Sequence, residues 1–90
     1  MTSAHMTQKE IFLVMTELLQ QLFGISPEKI VAEAELVKDL DLDSIDLIDL
    51  LSVTSEKYDL NLSPHDFPDI VNLQDFIERF EIILTKQTRK

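Results

Sequence analysis

Apolar side chains recur at three- and four-residue steps in three stretches of the chain, and Gly, Pro and Asx residues punctuate the gaps between them, a pattern that predicts a helical fold. In the first stretch Ile11, Val14, Met15, Leu18, Leu19 and Leu22 form one stripe. Thr7-Gln8-Lys9-Glu10 has the spacing of a capping box, Met6 and Ile11 that of its hydrophobic staple, and Gly24 the stop, so the spacing predicts a helix over 8–23. Ser26-Pro27-Glu28-Lys29 sets a short helical turn that lets Ile30 dip inward, and residues 31–43, without helical punctuation, read as a long loop anchored by Leu36, Leu40 and Leu42. The stripe resumes with Leu47, Leu50, Leu51, Thr54 and Tyr58 over 44–58, and Asp59 and Asn61 mark its exit. Leu60-Asn61-Leu62 alternates like a strand but has no partner run, and reads as loop. Ser63-Pro64-His65-Asp66 opens a short third helix that Pro68 keeps brief. Asn72 and Asp75 open the last helix, with Leu73, Phe76, Ile77, Phe80, Ile83 and Leu84 as its inward stripe. The expected fold is all-α: three main helices plus one short helix, with a long loop between the first two.

Composition narrows the class. Ninety residues make one small domain. With 17 acids against 8 Lys and Arg, the net charge of −9 disfavours nucleic acid as a partner. The absence of cysteine removes disulfides, thiolate metal sites and a cysteine nucleophile, and suits a cytoplasmic protein. No apolar run is long enough to span a membrane. Residues 1–6, with a second methionine at Met6, read as a cloning remnant, residues 7–84 as the domain, and residues 85–90 as a flexible basic tail.

Seven of the 17 acids lie within residues 39–59, against Lys57 alone. Asp43 and Asp46 suit the positive N-terminus of the second helix, whereas Asp49 and Glu56 lie beyond its first turn. Beside these acids, Ile45, Ile48 and Ser52 lie outside the core stripe. Two readings stay open from this pattern: a solvated helix face, or an apolar and acidic docking surface. Asp39, Asp41 and Asp43 alternate like the start of an EF-hand loop, but Ser44 stands where its glycine is needed and Leu50 where its glutamate is needed. No G-x-S-x-G turn surrounds Ser44, so Ser44, His65 and an aspartate do not make a hydrolytic triad, and no enzyme is expected. Locally, Ser44 reads as a helix-capping residue.

Leu40-Asp41-Leu42-Asp43-Ser44-Ile45-Asp46 resembles the attachment motif of acyl carrier proteins, a D-S-[L/I]-D signature at the start of the second helix. The resemblance extends over residues 7–84. Leu22-Phe23-Gly24-Ile25 and the following Pro turn are similar to the end of that family's first helix, Glu56-Lys57-Tyr58 to the close of its second, and Val71 to Phe76 to the opening of its last. It implies that Ser44 carries 4'-phosphopantetheine, received from coenzyme A in a phosphodiester link, whose thiol holds an acyl chain as a thioester. It also implies docking of the second helix on basic patches of a phosphopantetheinyl transferase, an acyl-loading enzyme, a ketosynthase and other biosynthetic enzymes, with Asp43, Ile45, Asp46, Ile48, Asp49 and Glu56 at the contact. The chain is expected to be a monomer.

A helical bundle that shelters an acyl chain does so by opening its core. Leu47, Leu51, Phe76 and Ile77, heading the inward stripes of the second and last helices, are the expected lining. Asp43 stands where peptidyl and aryl carriers place glycine, which favours an acyl carrier. The Asp-Leu-Asp-Leu-Asp-Ser-Ile-Asp spelling is similar to freestanding bacterial carriers of aryl-polyene and related fatty-acid-like synthesis, and Ser52, Thr54 and Ser55 depart from many housekeeping carriers. A D-alanyl or other aminoacyl carrier, and an unmodified acidic interaction module, are the alternatives.

Overall fold

Each helix starts where its side chains can satisfy the first free amides. At the first, the Glu10 amide donates to Thr7 Oγ1 at 3.1 Å and the Thr7 amide donates back to Glu10 Oε1 at 2.9 Å. The structure, a computed structural model, describes residues 6–88, with side chains through Lys86. Over that span it holds α1 (Gln8–Phe23), α2 (Ser44–Tyr58) and α3 (Leu73–Thr88), with single 3₁₀ turns at Pro27–Lys29 and Pro64–Asp66. Among the described residues no helix is long and apolar enough to cross a membrane.

Gly24 ends α1 at φ 66°, the left-handed conformation that costs glycine least, and its amide donates to Gln20 O at 2.9 Å. Asp59 plays the same part for α2 at φ 56°, a conformation that aspartate tolerates better than most side chains. The core gathers Ile11, Met15, Leu18 and Leu19 of α1, Leu50 and Leu51 of α2, and Leu73, Phe76, Ile77, Phe80 and Leu84 of α3. Leu22, expected on the buried stripe, is 38% exposed, and Val14 is half-buried. Thr54 is fully buried, and its hydroxyl donates to Leu50 O at 2.7 Å, so this polar residue costs the core no unsatisfied group. Ser55 joins α2 to its exit: its hydroxyl donates to Leu51 O and accepts the Leu62 amide.

Residues 31–43 are more ordered than the expected loop. Leu36 N donates to Val71 O, and Leu73 N and Gln74 N donate to Ala34 O and Ala32 O, each at 2.9 Å, which fastens this segment to the start of α3. Leu36, Leu40 and Leu42 are all buried, as the anchoring pattern predicts, and Asp39 accepts the Glu35 amide at 2.8 Å. Between the buried leucines Asp41 turns out to solvent at φ 58°. Residues 85–88, assigned by sequence to the tail, continue α3; the Thr85 hydroxyl donates to Glu81 O at 3.0 Å, and neither Gly nor Pro interrupts the helix there. Met6, assigned by sequence to a cloning remnant, packs against the core. Residues 1–5 of that remnant and 89–90 of the tail lie outside the described residues.

Candidate functional site

Where α2 begins, Asp43 occupies the cap position and Ser44 the first helical turn. This corrects the local reading of Ser44 as the cap. Both residue types cap well, and the one whose backbone is still extended, Asp43 at ψ −174°, takes the role. The Asp46 amide donates to Asp43 Oδ1 at 2.9 Å and the Asp43 amide donates to Asp46 Oδ2 at 3.2 Å, a closed box around Ser44. Ser44 is thereby released from any capping duty. It is exposed, and no hydrogen bond joins its hydroxyl to another described residue.

The buried faces of α2 and α3 do not meet fully beneath Ser44. An apolar cavity of about 230 Å³ lies there, walled by Leu36 and Val37 of the loop, Leu47, Ile48 and Leu51 of α2, Pro64, Phe67 and Ile70, and Phe76 of α3. Ser44 is the single polar side chain in its lining. Phe67 stacks on Phe76 with ring centroids 4.6 Å apart and planes 13° apart, and Phe76 in turn lies near parallel to Phe80. A closed apolar cavity of about 150 Å³ admits a benzene-sized guest, so this half-open one has room for a larger apolar group.

Leu47, Leu51 and Phe76 thus stand together at the cavity. Ile77 does not join them: it points from the next position of α3 into a separate shallow depression with Gln8, Lys9, Phe12 and Gln74. The inward stripe named Ile77 because a buried stripe is wider than any one cavity. Val37, Phe67 and Ile70, which the stripe could not name, belong to non-helical segments brought in by long-range contacts.

Ile45 is 73% exposed and Ile48 is 53% exposed, while Asp49 and Glu56 are exposed on the same helix. Val37, 65% exposed, extends the apolar rim of the cavity onto the loop. Asp43 and Asp46 differ from Asp49 and Glu56 in being engaged by backbone amides.

These residues fit the requirements of the phosphopantetheine group that the resemblance implies. An exposed hydroxyl without a hydrogen bond can take a phosphoryl group; the Ser44 and Ile45 amides and the helix dipole favour the resulting negative charge; an apolar cavity adjoins it.

Comparison with known proteins adds an independent finding. Residues 14–80 match the family described as phosphopantetheine attachment site. Acyl carrier protein 2 of Ralstonia nicotianae is 33% identical over 79 residues, 88% of this chain and 98% of that protein. The acyl carrier protein of Bdellovibrio bacteriovorus is 29% identical over 65 residues, 72% of this chain and 83% of that protein. The meromycolate extension acyl carrier protein of Mycobacterium leprae is 30% identical over 71 residues; the match takes in 79% of this chain but 62% of that protein, under two thirds of its length.

Proposed function

Because the chain belongs to the acyl carrier protein family, non-catalytic carriers with covalently bound 4'-phosphopantetheine, we propose that Ser44 is the attachment residue and that the protein delivers acyl intermediates to fatty-acid- or polyketide-like biosynthetic enzymes. The observation that carries this reading is the position of one exposed, unbonded hydroxyl at the helix start, on the rim of an otherwise apolar cavity. When bound, the group supplies a terminal thiol on which an acyl chain is held as a thioester.

The chain's own residues divide the remaining work. Asp43 and Asp46 fix the first turn of α2 and so fix the direction in which Ser44 presents its oxygen. Leu47, Leu51, Phe67 and Phe76 offer an apolar surface that draws an acyl chain out of water by roughly 25 cal/mol for each Å² removed from solvent. Ile45 and Ile48, flanked by Asp49 and Glu56, form the surface on which a transferase or a synthase with a basic patch docks. The cavity favours an acyl chain over the aminoacyl alternative, since an ammonium group would find no polar side chain there beyond Ser44 itself.

The test is loading. After incubation with coenzyme A and a broad-specificity transferase, the protein gains one phosphopantetheine group, found on the peptide containing Ser44. A protein that stays unmodified under conditions that modify a control carrier contradicts the proposal.

A further inference from the structure

On a chain of net charge −9, a cavity between the 3₁₀ turn Pro64–Asp66 and the end of α3 holds more bases than acids. Its volume is about 270 Å³, and its bases are Arg79 and Lys86 of α3 and His65 of the 3₁₀ turn facing them. The carboxylate in its wall, Asp66, already accepts the Ser63 amide at 3.0 Å and the Ser63 hydroxyl at 3.3 Å. Arg79 is half-buried, and no hydrogen bond or ion pair joins it to another described residue. A guanidinium partly withdrawn from water, with its fork of donors unanswered, gains most from a carboxylate brought by another molecule.

The spacing says more about that molecule. Arg79, Ile82, Ile83 and Lys86 follow steps of three, four and seven residues, so they share one face of α3, with the two cations roughly 10 Å apart along the axis. Ile82 between them is 46% exposed. From Arg79 to Lys86 the face therefore reads basic, aliphatic, basic, with His65 and Asp66 across the cavity; Asp75, one turn before Arg79, has its carboxylate engaged by the Val71 and Asn72 amides.

We propose that this face docks a short helical segment of a partner protein that bears two carboxylates two turns apart with aliphatic side chains between them. Charge selects this occupant over the others. An extended polyanion such as nucleic acid or an anionic membrane meets the field of the whole molecule, which is strongly negative, whereas a segment with two carboxylates meets chiefly the local cations. A second copy of the chain brings its own net charge of −9, which opposes its approach. The surface lies on α3 and the 3₁₀ turn, not at Ser44, so it reads a different feature of a partner from the one read by α2.

The experiment is an NMR titration of the full chain, and of its Ser44→Ala variant, with an acetylated and amidated helical peptide carrying two glutamates seven residues apart and leucines between them. The expected result is a saturable change in the Arg79 side-chain, His65 ring and Ile82 methyl signals in both proteins. Arg79→Gln should weaken it at least fivefold, Arg79→Lys less, and exposed Lys86→Gln at least twofold without disturbing the fold. A counterpart peptide with glutamines in place of the glutamates should not saturate. Equal binding of the glutamine peptide, or changes confined to other surfaces, overturns the proposal. So does tighter binding at these residues of inorganic phosphate or of phosphatidylglycerol vesicles, or a dimer of the chain that Arg79→Gln abolishes.

Discussion

Asp43 and Asp46 cap one another across Ser44, the Asp46 amide donating to Asp43 at 2.9 Å and the Asp43 amide donating to Asp46 at 3.2 Å. The pair that flanks the proposed attachment residue is therefore a structural clasp first, and any part it plays in docking is carried on carboxylates already engaged with backbone. Asp49 and Glu56 have no such engagement, and they are the more purely electrostatic members of the acidic face.

Asp43→Ala removes the cap and should cost about 1 kcal/mol, lowering Tm by roughly 4 to 8 °C for a domain of this size. Asp43→Asn, which still accepts the amide, should recover most of that loss. Thermal unfolding followed by circular dichroism checks the pair; an Ala variant as stable as the parent removes the clasp from the account.

On the open part of the face, Asp49→Lys with Glu56→Lys should slow association with the transferase and flatten its dependence on salt, because exposed charges act over a screening length of about 8 Å at physiological ionic strength. Stopped-flow association across a salt series measures this. Identical slopes in variant and parent would place recognition elsewhere.

An octanoyl chain loaded through Ser44 should shift the signals of Leu47, Leu51 and Phe76, which line the cavity, and leave Ile77 in place. Large-to-small changes at Leu51 or Ile77 should each cost roughly 2 to 5 kcal/mol, so stability does not separate their roles and the chemical shifts do. If all four respond alike, the chain enters by a wider opening of the core than the cavity implies.

Tyr58 titrates above the ordinary tyrosine value of 10.0, chiefly because burial disfavours its phenolate and secondly because Glu17 is near. A folded value above the unfolded one means that stability is unaffected by this group below pH 10.0 and falls as the pH rises from there through the folded value, where the unfolded chain releases its proton first. Ultraviolet titration should place Tyr58 above 10.0 in the folded protein and nearer to it in Glu17→Gln. A folded value at or below 10.0 contradicts the burial argument.

Much of the fold is legible in the sequence alone. Thr7 and Glu10 announce α1 and Gly24 closes it, because caps and left-handed stops are local devices written in a few adjacent residues. The order in residues 31–43 was not legible, since it comes from Leu36, Ala32 and Ala34 bonding to residues 71–74 far along the chain. Ser44 was singled out by its motif but misplaced by one position, because Asp43 and Ser44 are equally good caps and only backbone geometry separates them. The cavity was half legible: stripes name Leu47, Leu51 and Phe76, while Val37, Phe67 and Ile70 enter it from segments with no period to read.

Intact-mass measurement of parent and Ser44→Ala after the same transferase reaction decides whether Ser44, and no other residue, takes the phosphopantetheine group. Since Ser44 caps nothing, the Ala variant should unfold within about 0.5 kcal/mol of the parent. The predicted result is one added group on the parent and none on a folded Ser44→Ala protein; an Ala variant modified as fully as the parent would contradict it.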